Sequence, residues 1–285
     1  MYARRLLLAL IAGACAVTLR VEATATEPAA VPTPYHRVPD RDNLTPDQKK
    51  AETFVAKLFA RARTAAASND YATASTAYED ALKVLEEAYG PDNDRITEAL
   101  RGIVNTRVSW DNYSAQYGFG QRAGLVVAVK AQERIVSIYE GREDIDPYER
   151  VAALVDLGDC YLYTDDPRAI DTYRKAWQLQ SRLVSPQTAD EMFGSVGLVR
   201  LVLPENPQGH SEWRVTVTYD VASDGKVTVS EVDGNAPQEV NEHMRDNYAH
   251  ARFRPRLVGG EPVDTHGITY THKYAGTSGR QNFRA

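Results

Sequence analysis

The sequence predicts a multidomain protein that combines an all-α part with an α+β part. An array of helical hairpins comes first, and a small domain with the order strand, strand, helix, strand follows. Three observations predict this organisation. Apolar residues recur at helical spacing between Pro46 and about Pro186, and period-two alternation starts at Trp213. Between these regions, a segment rich in Pro and Gly at 203–210 marks a boundary.

The first 25 residues are predicted to be a cleaved secretory signal peptide. Arg4-Arg5 precedes an apolar run from Leu6 to Leu19, and Ala23-Thr24-Ala25 has the small-x-small pattern of a cleavage site. The apolar run is shorter than the roughly 20 residues that a membrane span needs. We therefore expect export to the periplasm and a mature protein that begins near Thr26.

Two other fates of the N-terminal segment stay open. Cys15 follows Ala12-Gly13-Ala14, which is similar to a lipoprotein acylation site except that the usual Leu three residues earlier is missing. Arg20 and Glu22 lie unusually close to the cleavage site, so an uncleaved anchor facing the periplasm is the other alternative. Contact with the membrane is expected only if Cys15 is lipidated or the segment is uncleaved.

Processing of this segment is the first testable prediction. N-terminal sequencing of the exported protein should begin at or near Thr26, because the cleavage pattern ends at Ala25. Recovery of the protein from the membrane fraction with Met1 intact would contradict cleavage and favour the anchored form.

Residues 26–46 are rich in Pro, Thr and Ala and are predicted to be a linker. Residues 47–186 are predicted to form six helices that pair into hairpins, with an irregular loop from Tyr113 to Gly120. Each helix has its own apolar stretch. These stretches are Phe54–Phe59, Ala74–Leu85, Ile96–Val104, Leu125–Ile138, Val151–Tyr163 and Ala169–Leu183.

Small and aromatic residues alternate in a characteristic way in the last helical hairpin. Small residues allow two helices to approach closely, while tyrosines fill the remaining space. The pattern consists of Leu154, Leu157, Gly158, Tyr161, Ala169, Tyr173 and Ala176. It resembles a tetratricopeptide repeat, and the stretch from Ala74 to Asp92 is similar to the longer repeats of kinesin light chains. A middle unit at about Ser109–Gly141 is degenerate, and an irregular helical bundle is the alternative.

The C-terminal part contains two predicted strands joined by a tight turn. Alternate residues from Trp213 to Val221 are apolar, which indicates a strand with one buried face. Ala222–Gly225 supplies a turn in which Gly225 takes a positive φ, and Val227 and Val229 continue the alternation.

A helix and a third strand complete this predicted domain. Apolar residues recur at helical spacing from Pro237 to Ala251, and Pro255 is expected to end that helix. The third strand is predicted at Gly267–Tyr274, with Ile268 and Tyr270 on one face. A turn at Gly259–Val263 precedes it.

Several of these features resemble the C-terminal domain of TonB-like proteins. The matching residues are Gly225, Phe253, Pro255, Gly260, Pro262 and Val263, followed by the closing strand. The resemblance covers residues 195–276, after which residues 277–285 are predicted to be a flexible tail. It implies a periplasmic domain that binds an extended segment of an outer-membrane receptor as an added strand.

The resemblance also implies where that segment binds. In the family the closing strand receives the receptor segment, which here means Gly267, Ile268, Thr269, Tyr270, Thr271, His272 and Lys273. An exposed strand offers unpaired backbone groups that bind with little demand on sequence. The alternatives are that the strand is only structural, or that the tail from Ala275 to Ala285 caps it.

Composition and motifs favour no catalytic chemistry. The net charge of −6 and the absence of a basic stripe argue against nucleic acid as a partner. Cys160 is expected to be a packing residue in a helix. Six histidines occur, of which His266 and His272 share strand parity, but a metal site is not favoured. We expect no cofactor and no metal. The alternating Arg252, Arg254 and Arg256 are interpreted as a solvated strand face, with a basic spot that favours an acidic partner as the alternative.

Three functions follow as hypotheses. The favoured one is a non-enzymatic periplasmic adaptor that binds other envelope proteins through its helical repeats and by strand addition. The alternative is a TonB-like component of energy-dependent transport through an outer-membrane receptor. TonB transducers usually carry an uncleaved anchor and a long Pro-rich arm, and neither is predicted here. An enzyme or metal protein with an unrecognised site is the weaker alternative.

Overall fold

The computed structural model describes residues 44–116, 123–203 and 213–274. Its contacts divide the chain into a helical unit that ends at Val184 and a second unit that begins at Ser185. The predicted order, with helices first and a small sheet region last, is confirmed. The predicted signal peptide, the linker up to residue 43 and the tail lie outside the described residues.

Six helices form the described part of the helical unit, and consecutive helices pack against each other. A short 3-10 turn at Asp94–Ile96 precedes the third helix. The helices are α1 (Pro46–Ala67), α2 (Tyr71–Tyr89), α3 (Thr97–Gln116), α4 (Ala123–Glu140), α5 (Pro147–Tyr163) and α6 (Arg168–Leu183).

Helix α1 begins at the end of the predicted linker. The Thr45 hydroxyl accepts a hydrogen bond from the Gln48 backbone N–H at 3.2 Å, and the Gln48 side chain accepts one from the Thr45 N–H at 3.0 Å. Pro46 is the first helical residue, where its missing N–H costs nothing. This reciprocal capping satisfies two backbone donors that the helix leaves free.

The predicted loop at Tyr113–Gly120 is wrong for its first residues, because α3 continues to Gln116. Tertiary contacts hold this last turn. The Tyr113 ring packs against Tyr71 with a centroid distance of 5.7 Å. Tyr163 reaches the same turn from α5, with its hydroxyl 2.9 Å from Asp111 Oδ2. The middle hairpin accordingly starts at Thr97 rather than near Ser109.

The residues of the predicted repeat pattern in α5 and α6 are all buried. Gly158 lies directly against the Tyr173 ring, because a Cβ atom built on Gly158 would lie 2.4 Å from Tyr173 Cε1. The Tyr173 hydroxyl donates to Asp159 Oδ1 at 2.7 Å, which fixes the ring over the glycine. Gly102 and Tyr78 repeat this arrangement between α3 and α2, with 2.3 Å to the ring.

The second unit contains two helices and seven strands among its described residues. Strands β3, β2 and β7 form an antiparallel sheet in that order, and β1–β4 and β5–β6 form two short ribbons. The elements are α7 (Pro186–Phe193), β1 (Gly197–Arg200), β2 (Trp213–Val221), β3 (Val227–Gly234), α8 (Gln238–Ala249), β4 (Arg252–Arg254), β5 (Arg256–Val258), β6 (Glu261–Val263) and β7 (Thr265–Tyr274).

This unit begins at Ser185 rather than at residue 195, because α7 belongs to it. The Ser185 hydroxyl caps the helix by accepting from the Thr188 N–H at 3.1 Å. Asp190 then accepts the Gly259 N–H at 2.8 Å, which ties α7 to the turn between β5 and β6. Asp190 and Gly259 lie far apart in sequence, so no local sequence pattern predicts this contact.

The core of the second unit lies between the sheet and α8. The predicted alternation in β2 is confirmed, since its odd-numbered residues are buried and Arg214 is exposed. Helix α8 contributes Val240, Met244 and Tyr248 to the same core, as its spacing predicts.

Helix α8 is shorter than predicted and ends at Ala249 instead of near Pro255. The chain turns at His250, and Arg252–Arg254 then forms β4, which pairs with β1. Phe253 is buried on this strand, and its N–H donates to the Gly225 carbonyl at 3.0 Å. Pro255 therefore separates β4 from β5 rather than ending a helix.

The predicted turn at Gly259–Val263 contains a strand. Gly259 and Gly260 have φ values of 61° and 84°, which is the backbone of a two-residue hairpin turn. Glu261–Val263 follows as β6 and pairs with β5. Pro262 is accommodated because this ribbon has only two strands, so its missing N–H can face outward.

Candidate protein-binding surfaces

Strand β7 lies at one side of the three-stranded sheet, and among the described residues it pairs only with β2. Its side chains alternate between two environments. Ile268, Tyr270 and Tyr274 are half-buried on the inner face, and His272 is buried there. The second row, Thr269, Thr271 and Lys273, is exposed.

A bulge at His266–Gly267 interrupts the start of β7. Tyr219 pairs with Ile268, whereas Val221 pairs with Thr265, so β7 has an extra residue here. Gly267 has a φ of 67° and donates its N–H to Asp220 Oδ1 at 2.8 Å. The other Asp220 oxygen lies 3.1 Å from His266 Nδ1. The hydrogen bond from Gly267 and the contact with His266 lower the pKa of Asp220.

The bulge sets where regular pairing begins, at Ile268, and it separates the two histidines of equal parity. His266 is exposed and His272 is buried, so the predicted common parity does not bring them to one face. Asp220 was not recognised from the sequence. The only local signal for it is Gly267, which permits the left-handed backbone of the bulge.

The backbone direction of β2 follows from three hydrogen bonds. The Arg214 carbonyl accepts from the Asn235 N–H at 3.1 Å, beyond the end of β3. The Thr218 carbonyl accepts from the Ser230 hydroxyl of β3 at 3.0 Å. The Ala222 N–H donates to the Lys226 carbonyl at 2.9 Å. Even-numbered residues of β2 thus direct their backbone groups towards β3.

Odd-numbered residues of β2 consequently direct their backbone groups towards β7, because successive residues of a strand alternate. Val217 pairs with Tyr270, so Tyr270 faces β2 and its neighbours face the opposite way. The N–H and C=O groups of Thr269, Thr271 and Lys273 therefore point away from β2. We call this side of β7, from Ile268 to Tyr274, the β7 edge.

The opposite side of the sheet is built differently. Strand β3 carries a bulge at Ser230, between the pairs Thr218–Glu231 and Tyr219–Val229. Glu231 and Asp233 are exposed charges on the same strand. Bulges and charges are the usual devices that prevent a sheet from extending. Between Ile268 and Tyr274, β7 has no bulge and one charged side chain, Lys273.

His272 lies beneath the β7 edge in an aromatic environment. Its Nε2 is 2.7 Å from the Tyr248 hydroxyl, and its ring contacts Tyr270 at a centroid distance of 4.7 Å. Its Nδ1 is buried with no hydrogen-bond partner. Burial lowers the pKa of His272 to about 4, so the ring is neutral at pH 7. No group of His, Cys, Asp and Glu in the described ranges could hold a metal ion.

The helical unit carries a groove of about 660 Å³ between α1 and the start of α3. At its base Arg95 donates to both oxygens of Glu52, at 2.6 and 2.5 Å, and the Tyr89 hydroxyl donates to Glu52 at 2.7 Å. These groups satisfy one another. The exposed rim carries Lys49 and Arg63 on α1. The groove is therefore open and mixed in polarity.

Neither the models of known protein families nor the curated proteins contain a match to this chain. Across residues 44–116, 123–203 and 213–274, no helix is both long and apolar enough to cross a membrane.

Proposed function

We propose that this protein is a non-enzymatic adaptor of the bacterial envelope that binds an extended segment of another envelope protein as a strand on the β7 edge. This proposal rests on one observation. The backbone groups of Thr269 and Thr271 point outward from a strand that, among the described residues, pairs only with β2. A second partner binds the helical unit, for which the groove along α1 is the candidate surface.

The free energies of backbone pairing and of association indicate a transient interaction. Each outward residue offers one donor and one acceptor, and a typical hydrogen bond contributes about 0.5–1.5 kcal/mol net. Association itself costs about 4–15 kcal/mol. Backbone pairing along so short an edge is therefore weak alone, and affinity depends on covering the half-buried Ile268 and Tyr270. An adaptor that exchanges partners fits this range.

The TonB-like and tetratricopeptide-like assignments belong to the same proposal. The sheet order β3–β2–β7 supports the first, together with the position of α8 between β3 and β7 along the chain. Six consecutively packed helices, with Gly158 against Tyr173 and Gly102 against Tyr78, support the second. Periplasmic localisation rests on the N-terminal pattern, which lies outside the described residues.

Cross-linking in the native cells tests this proposal. A photoreactive phenylalanine analogue at position 269 should cross-link to envelope proteins, because this side chain borders the added strand. Thr271→Pro should reduce the cross-linked product at least about tenfold, since proline removes the outward N–H and places a ring in the pairing plane. Thr271→Ala should stay within about threefold, because it keeps the backbone.

The opposite side of the sheet provides the matched control. The same analogue at Thr228, an exposed residue of β3, should give little product. Circular dichroism and a melting curve verify that the proline variant is folded. A folded Thr271→Pro protein that cross-links like its parent would show that strand addition does not occur on β7.

A further inference from the structure

Helix α1 concentrates positive charge in a chain whose net charge is −6. It contains five cations and only two anions. One anion, Glu52, is held by Arg95 at the base of the groove described above. The other, Asp47, is exposed in the first turn beside Lys50. The exposed surface of α1 is therefore basic.

Three of these cations share one face of the helix with a phenylalanine. Helical residues that are three, four or seven positions apart lie on the same face. The residues that follow this spacing, which we call the α1 stripe, are Lys50, Phe54, Lys57 and Arg61. All four are exposed, and the exposed fraction of Phe54 is 52%. The apolar residues of α1 that pack on α2 lie on another face, and no residue of the stripe lines the groove.

Neighbouring carboxylates leave the α1 stripe basic. Lys57 and Arg61 form no salt bridge with any residue that the structure describes. Asp70 lies within electrostatic reach of Arg61, but its carboxylate accepts a hydrogen bond from the Thr73 N–H at 3.1 Å. Three of the four carboxylates of α2 have cations of their own, in the pairs Asp80–Lys83, Glu79–Arg107 and Glu86–Arg134. The charge of the stripe is thus available to an outside partner.

The shape and composition of the stripe suit a flat, negatively charged surface better than a protein. A specific protein interface buries about 800 Å² on each partner around an apolar centre. Within α1, every residue of which is described, Phe54 is the one large apolar side chain that is exposed. A bilayer of anionic phospholipids needs only distributed positive charge, and an aromatic ring can lie at the level of its head groups.

We propose that the α1 stripe binds the surface of an anionic phospholipid bilayer, with Phe54 inserted among the head groups and the three cations bound to lipid phosphates. The same surface repels the net negative charge of the rest of the chain, so α1 is the part that approaches it. Binding is reversible, because stable anchoring to a membrane needs a further signal. The contact goes beyond the adaptor function and forms whether or not residues 1–25 are cleaved.

Flotation with lipid vesicles tests this contact. The chain from Thr26 onward is used, so that no apolar N-terminal segment binds the lipid itself. Its partition coefficient should be at least about tenfold larger for vesicles of equal parts phosphatidylglycerol and phosphatidylcholine than for phosphatidylcholine alone, and it should fall as salt rises. Lys57→Glu combined with Arg61→Glu should lower the coefficient on the anionic vesicles at least about tenfold, because two attractive charges become repulsive.

Two exposed cations of α6 provide a control that is matched in net charge. Lys175→Glu combined with Arg182→Glu should lower the partition coefficient by no more than about threefold, because these residues lie outside the α1 stripe. Phe54→Ala should lower it several-fold even at high salt, since the ring contributes by burial and not by charge. Phe54→Trp should bind at least as tightly as the parent, because tryptophan favours the head-group level.

Three results would overturn the proposal. One is equal binding of the parent to both kinds of vesicle, and another is an equal loss of binding in the two double variants. The third is binding to soluble polyglutamate without binding to the vesicles, which would favour an acidic protein partner instead. Circular dichroism verifies that each variant is folded. Cross-linking at position 269 reports on the β7 edge and can succeed or fail independently of these results.

Discussion

Gly158→Leu is expected to lower the free energy of unfolding of the helical unit by about 1–3 kcal/mol. A Cβ atom at this position would lie 2.4 Å from Tyr173 Cε1, closer than atoms can approach. Tyr173 cannot yield easily, because it is 0% exposed and its hydroxyl is bound to Asp159. The change should therefore force α5 and α6 apart. Denaturation by urea, followed by circular dichroism, measures the loss.

A second glycine of the same unit is a matched control. A Cβ atom on Gly124, near the start of α4, would meet Arg107 Cδ at 3.5 Å, which is an ordinary contact. Gly124→Ala should therefore stay within about 0.5 kcal/mol of the parent or stabilise it slightly. Gly158→Ala should fall between the two variants. Equal stability of Gly158→Leu and the parent would contradict close packing of α5 on α6.

Acid is expected to destabilise the second unit through His272 as the pH falls from about 6.5 to about 4. The pKa of His272 is lowered from 6.5 to about 4 by burial, and the groups that face it are the hydroxyl of Tyr248 and the rings of Tyr270 and Tyr248. None of these carries a charge that would balance the imidazolium. The unfolded chain therefore binds a proton at higher pH than the folded one.

The direction of the effect follows from that difference. The stability that neutral His272 contributes is fully present above about pH 6.5 and is lost as pH falls towards 4, for a total of about 3 kcal/mol. Asp220 and Asp224 have lowered pKa values, so their contributions disappear only at more acidic pH. Urea denaturation from pH 7 to 4, followed by the fluorescence of buried Trp213, measures the slope.

Two variants on the same strand separate the causes. His272→Gln should flatten the pH dependence between 6.5 and 4, because glutamine does not titrate and can still bind the Tyr248 hydroxyl. Thr269→Gln, at an exposed position of the same strand, should leave the slope nearly unchanged, because it neither adds nor removes a titrating group. An identical slope for the parent and His272→Gln would show that other groups cause the acid sensitivity.

The features predicted correctly from the sequence have local repeating patterns. The alternation from Trp213 to Val221 identified a strand and its buried face, and the spacing of Val240, Met244 and Tyr248 identified the covering helix. Gly225 marked a turn that requires a positive φ, observed at 81°. Such patterns reflect the geometry of one element and are readable before folding.

The errors occurred where distant contacts decide the outcome. The last turn of α3 is held by Tyr71 and Tyr163, which belong to other helices. The ribbon of β1 and β4 replaced the predicted end of α8, because Arg252–Arg254 finds a partner strand far away in sequence. Local propensity cannot anticipate a partner that only folding supplies.

By itself, the sequence determined an all-α part, a small sheet domain and the closing strand as the candidate for binding. Only the tertiary structure decided which backbone groups of that strand point away from the rest of the sheet. Parity divides side chains between two faces, but the direction of backbone groups depends on which residues of β2 bond to β3 and which to β7. The bulge at His266–Gly267, which is held by Asp220, shifts the pairing of β7 with β2 by one residue. Strand register is a property of paired chains, so the outward groups of Thr269 and Thr271 emerge only when the sheet is assembled.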